Sequence, residues 1–296
     1  MLLNKICAIN LYFFSSVLTT LLNKELIYIL NFKQHYLLTT IQSIIICCII
    51  YIYCMINNKS QRNILYFKEL KHWFVTGIFL TGMIISNIKA ISYLEISIYT
   101  IYKNCGIVVT AIAERIVFKK HVTRIGFVSF IVIIVSTYLA NIGFRQKQNL
   151  IPVSGYLWMV FNILVTTAYV IYMKHLMHKN KTKLESVFFT NFITIPILGA
   201  FSVIKDEKGI VFNTPIIVCI IASSILALLT AISTAWTLKI ISSTTYSMLG
   251  ASNKLLLSAC AIFWFKESKN ATKLFSLFLG IAAGFVYSYN DAFINK

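Results

Sequence analysis

Two lysines stand inside polar clusters of otherwise apolar stretches, and the chemistry they suit is the binding of an anion. Lys103 follows Tyr99, Thr100 and Tyr102 and precedes Asn104, while Lys254 follows Tyr246, Ser247, Gly250, Ala251 and Asn253. A lysine at mid-bilayer costs about 2.5–3.5 kcal/mol on insertion scales, so it faces a wet cavity and a partner rather than lipid. On a helix, Tyr246, Gly250, Asn253 and Lys254 fall at i, i+4, i+7 and i+8 and share one face. Gly250 and Ala251 leave that face open, so that a bulky ligand can approach the backbone. Ser and Thr alone would read as glue between helices, but two lysines call for counter-charge. Glu114 and Glu25, near the ends of apolar stretches, are candidate partners for a lysine. A dianionic pyrophosphate satisfies both cations better, because a compact ammonium suits phosphate. Tyr12 and Tyr99 are either ligand contacts or tyrosines packed between helices with their hydroxyls satisfied locally.

The elements that must position these residues follow from composition. The chain is 58% hydrophobic and only 12% charged, with a mean hydropathy of +0.78, whereas soluble domains carry roughly 25% charged residues. A water-soluble fold could not hide so much apolar surface. Apolar runs between polar breaks predict helices at about 6–30, 36–56, 73–94, 97–117 and 125–143, then at about 154–174, 185–204, 215–238, 243–265 and 274–290. The first run lacks a small-residue cleavage site and reads as a helix rather than a leader. At one common offset Tyr99, Phe118 and Lys119 correspond to Tyr246, Phe265 and Lys266. Each half then holds an odd number of crossings, so the two insert in opposite senses. The expected fold is an all-α integral membrane protein of about ten transmembrane helices, arranged as two inverted five-helix repeats, 1–148 and 149–296, in one integrated transport domain.

The net charge of +18 reads as a topology signal, since loops this short offer no clustered basic face for nucleic acid. With both termini in the cytosol, Lys59, Arg62, Lys71, Arg115, Lys119, Lys174, Lys183 and Lys239 lie among the cytosolic charges, which outnumber those opposite, such as Lys33, Arg145, Lys205 and Lys266. The seven cysteines and five histidines lack metal-ligand spacing, so neither a metal nor a cofactor is expected. Asp206 and Glu207 are the one adjacent acidic pair, in a loop between Lys205 and Lys208. A glycosyltransferase would need a carboxylate base or a metal cluster, so the expectation is a carrier and no enzyme.

The segment Ser243 to Lys254, "STTYSMLGASNK", resembles the Gly-Ala-Leu-Asn-Lys signature region of the Golgi GDP-mannose transporters, with Ser252 in place of Leu. "KAISYL" (Lys89 to Leu94), "IYTIYKN" (Ile98 to Asn104) and "YFFSSVLTTLLNK" (Tyr12 to Lys24) are similar to other stretches of that family. Its second signature, Phe-Tyr-Asn-Asn, corresponds to Phe188, Phe189, Thr190 and Asn191, followed by Pro196; only the first Phe and the last Asn survive. The resemblance implies the ten-helix drug/metabolite transporter architecture. It implicates Asn191 in reading guanine, Tyr246, Gly250, Ala251, Asn253 and Lys254 in holding ribose, phosphates and sugar, and Tyr12 as a further contact. A Ser that the family places before the signature Tyr is Ala231 here. The implied work is antiport across the Golgi membrane, GDP-mannose moving into the lumen and GMP returning. The endoplasmic reticulum is the alternative compartment, a UDP-sugar or other organophosphate carrier is the alternative function, and a homodimer is left open.

Overall fold

The structure, a computed structural model, describes residues 2–32, 34–56, 70–94, 96–119, 123–142, 153–179, 182–205 and 213–264, together with Phe275, Phe278, Leu279, Ala282, Ala283, Val286 and Tyr287. Among the described residues the chain forms nine helices: α1 (Leu2–Tyr28), α2 (His35–Ile56), α3 (Leu70–Tyr93), α4 (Ile96–Phe118), α5 (Arg124–Ile142), α6 (Val153–His178), α7 (Lys183–Ile204), α8 (Thr214–Ile240) and α9 (Ser243–Trp264). Each coincides with an expected span to within a few residues, because apolar runs of this length can bury their backbone polar groups in lipid only as helices. The seven residues described beyond α9 are also helical and fall within the expected tenth stretch; Phe265, Lys266 and the Asp206–Glu207 pair lie outside the described residues. Six helices, α1, α2, α3, α6, α7 and α8, are long and apolar enough to cross a membrane. The chain is an all-α, multi-pass membrane protein.

Two compact units divide it, with boundaries inside α3 and α6 and at the last residue of α8. The first comprises 1–85 and 172–239, the second 86–171 and 240–296. Each draws on both halves of the sequence.

In the first unit α2 packs along α7, and Leu26, Phe32, Leu38, Ile216 and Ile220 form an apolar cluster. The helix α7 starts with a capping box: the Thr182 hydroxyl accepts from the Glu185 amide at 3.2 Å and the Glu185 carboxylate accepts from the Thr182 amide at 3.5 Å. The same carboxylate accepts from the indole of fully buried Trp73 at 2.9 Å, tying α3 to α7. Farther along that contact, a Cβ built on Gly77 would lie 2.7 Å from Ile193. Only glycine permits so close a crossing.

In the second unit two apolar clusters flank α4. Tyr99 packs with Ala90, Leu94, Met159 and Ile163, and Ile107 and Ala111 pack with Phe130, Ile133, Met248, Ala251, Ala283 and Tyr287. Lys119, one residue past α4, turns the chain off the helix with φ 55°, a left-handed conformation that costs a non-glycine residue and so marks a firm helix end.

Candidate functional site

The second unit holds most of the residues singled out above. On α4, Lys103 donates to Asn162 Oδ1 and, at 3.2 Å, to Thr166 Oγ1, both on α6. Asn162, fully buried, donates in turn to Ser86 Oγ at 2.8 Å. One turn before Lys103, Tyr99 donates its hydroxyl to Asn87. One turn beyond, Gly106 lets Ile163 approach within 3.5 Å of where a Cβ would stand, and the hydroxyls of Thr110 and Thr167 lie 3.3 Å apart. Asn162, Thr166 and Tyr169 repeat at i, i+4 and i+7, so one face of α6 meets this face of α4.

Lys103 is therefore a cation whose partners among the described residues are two neutral oxygens. An ammonium has three donors, and two are engaged. The candidate carboxylate partner, Glu114, is directed elsewhere. Its oxygens accept from the Ser243 amide at 2.8 Å, the Thr244 amide at 2.9 Å and the Thr244 hydroxyl at 2.5 Å, in the first turn of α9. A helix start leaves its first amides without partners and carries positive dipole charge, so a buried carboxylate there meets both demands.

Along α9, Tyr246 and Gly250 are half-buried and Asn253 is buried. Neither Oδ1 nor Nδ2 of Asn253 has a hydrogen-bond partner among the described residues, and the same holds for Ser252 Oγ. Leaving a buried polar group unmatched costs about 1–3 kcal/mol. Gly250 and Ala251 differ in surroundings: Ala251 is buried in the apolar cluster with Ile107 and Met248, while Gly250 is half-buried. Lys254 belongs to α9, and its side chain lies outside the described residues.

The first unit contains Tyr12 and Asn191, both buried. Asn191 donates its amide to the Val187 carbonyl of its own helix at 2.8 Å, which leaves the amide oxygen for another partner. Thr190, where the signature has Asn, donates its hydroxyl to the Ser186 carbonyl. Phe188 stacks on Phe192 with centroids 5.9 Å apart and meets Phe189 edge-on. Their ring contacts are with one another and with Phe192.

Sequence reasoning missed Ser86, Asn87, Asn162 and Thr166, the groups that hold Lys103 and Tyr99. The signal was present in Asn162, a lone amide in the apolar run "WMVFNILV". A lone intramembrane amide marks a polar contact between helices, but spacing alone does not say with which helix.

A bundle of apolar helices with a cation held among neutral oxygens suits a membrane protein that receives an anionic solute. The sequence agrees: residues 153–289 match the EamA-like transporter family. A crystal structure covering 98% of both chains superposes with a TM-score of 0.76 at 12% identity, a likeness of fold. A GDP-mannose transporter of Komagataella pastoris is 33% identical over 94% of this chain and 88% of its own. Those of Kluyveromyces lactis and Schizosaccharomyces pombe are 29% and 30% identical over 95% and 94% of this chain and 89% and 84% of theirs. The chain belongs to the GDP-mannose transporter family, nucleotide-sugar transporters of the drug/metabolite transporter superfamily. It is a transporter and not an enzyme.

Proposed function

We propose that the protein carries GDP-mannose from the cytosol into the Golgi lumen in exchange for GMP, with Lys103 and Lys254 neutralising the phosphates. The observation that carries this reading is Lys103, bound by the neutral oxygens of Asn162 and Thr166 and lacking a carboxylate partner among the described residues. A permanent counter-ion would have made it a structural ion pair; without one, a charge at this depth favours an anionic visitor. The amide of Asn253, in the signature segment and unmatched among the described residues, supports a polar ligand beside α9. Tyr12, Tyr99, Asn191, Tyr246, Gly250 and Ala251 complete the proposed site, Asn191 through its amide oxygen and Ala251 by its small size. Ten helices in two inverted five-helix repeats, 1–148 and 149–296, with both termini cytosolic, provide alternating access by rocking about that site.

An empty site leaves its lysines unneutralised in low dielectric, so the carrier reorients more readily with either anion bound than with none. Strict exchange follows. Purified protein in liposomes should take up labelled GDP-mannose only when GMP is inside; equal uptake into empty liposomes removes the exchange mechanism.

One observation favours a second reading, a UDP-sugar carrier on the same fold. The Thr190 hydroxyl is bonded to its own helix and contributes little to a guanine. Inhibition of uptake by UDP-sugars exceeding that by GDP-sugars would establish it.

A further inference from the structure

The carboxylate of Glu114 stands 2% exposed at the far end of α4 from Lys103, and the start of α9 closes on it. It joins the helix bearing Lys103 to the helix bearing Lys254. The two helices run antiparallel: Glu114 in the last turns of α4 meets Ser243 and Thr244 at the start of α9, and Ile107 and Ala111, earlier in α4, share a packed cluster with Met248 and Ala251, later in α9. Lys103 precedes Glu114 by eleven residues, and Lys254 follows Ser243 by eleven. At 1.5 Å of rise per residue both separations are about 16 Å. With the helices pinned at Glu114, the backbones at Lys103 and Lys254 lie level along the pair. A slip of one turn would part them by about 5 Å, more than the spacing of two neighbouring phosphate groups tolerates.

We infer that Glu114 is a positioning residue that sets the register of α4 against α9 and so brings the two lysines to one depth, as a pair matched to a diphosphate. The inference rests on the carrier reading for the ligand but not for the register. Glu114 touches no solute. It acts by filling the amide demand of the α9 start at one place, where a neighbouring apolar residue would leave two amides unmatched. The side-by-side packing of Ile107 and Ala111 against Met248 and Ala251 is apolar and alone would tolerate sliding, because apolar side chains fit one another in more than one register.

The test combines a register readout with a binding readout. A cysteine pair at Ala111 and Met248, cross-linked by oxidant with the seven native cysteines replaced by Ala, reports the register with no solute present. Introducing E114Q should lower the cross-linking yield. It should also weaken binding of GDP-mannose and of GMP, and raise KM for uptake, by about tenfold, the loss expected when one charge-assisted contact is misplaced, while E114D recovers much of each. In the double variant K103M/E114Q the loss should be smaller than the two single losses combined, since Glu114 acts through the lysine. Should E114Q fail to fold, T244V, which removes only the hydroxyl bond, is to show the same effects in smaller measure. An unchanged cross-linking yield, or a fall in melting temperature with binding and KM unchanged, reduces Glu114 to a helix cap and overturns the inference; strictly additive losses do the same. If the unaltered protein binds neither solute, the carrier reading fails on its own account, and the cross-link still decides the register.

Discussion

Each unit has a polar seam between helices, and the two seams are built differently. In the first, Ser15 and Ser233 lie 3.5 Å apart, Thr19 and Thr230 3.2 Å apart, and the Gln42 amide donates to Asn23 and to Ser223, each at 2.9 Å. Every member is neutral, and each donor has an acceptor nearby. In the second, the chain from Ser86 through Asn162 ends on Lys103, a full positive charge whose third donor is not engaged by these bonds. Both seams sit in apolar helices and both would score as polar intrusions. What separates them is charge balance: a neutral, satisfied seam stabilises helix packing, whereas a cation among neutral oxygens remains attractive to an anion.

The contrast can be broken from either side. Replacing Lys103 by Met should have the largest effect, lowering GDP-mannose uptake by about a hundredfold through the loss of charge-assisted contacts to phosphate, with little loss of melting temperature. Activity retained within a factor of two would place the lysine outside the transport path. Next in size is Asn253→Ala. Binding of GMP, measured by isothermal titration, should weaken about tenfold, but removing an amide with unmatched atoms spares a desolvation cost of about 1–3 kcal/mol. The melting temperature of the ligand-free protein should therefore hold or rise; a clear fall would mean that the amide already has a structural partner. The smallest effect belongs to the neutral seam. Gln42→Leu should destabilise by about 0.6 kcal/mol, a typical value for a hydrogen bond between membrane helices, and leave KM for uptake unchanged. A raised KM would erase the distinction between the seams.

Much of this was legible beforehand. The spans could be read because length and apolarity alone dictate a helix in lipid, and the observed ends of α2, α7 and α8 fall within two residues of those expected. Lys103 could be singled out because a cation is conspicuous in an apolar run. Its partners could not, since Asn162 is distant in sequence and is selected by packing. Glu114 shows the limit more sharply: it is a carboxylate near the end of a span, which invites pairing with a lysine, and it accepts from the Ser243 and Thr244 amides 129 and 130 residues away. No spacing rule reaches a cap supplied by another helix. For Ala251, helical periodicity sets which residues share its face but not that Ile107 and Met248 pack against it.

The bond between Trp73 and Glu185 has a practical corollary. An indole fully shielded from solvent emits at shorter wavelengths than a wetted one, and this one leans on the carboxylate that also closes the start of α7. With Trp158, Trp236 and Trp264 replaced by Phe, fraying at that helix end would alter the colour and yield of the remaining emission, giving experimenters an optical gauge placed where α3 meets α7, with no label attached.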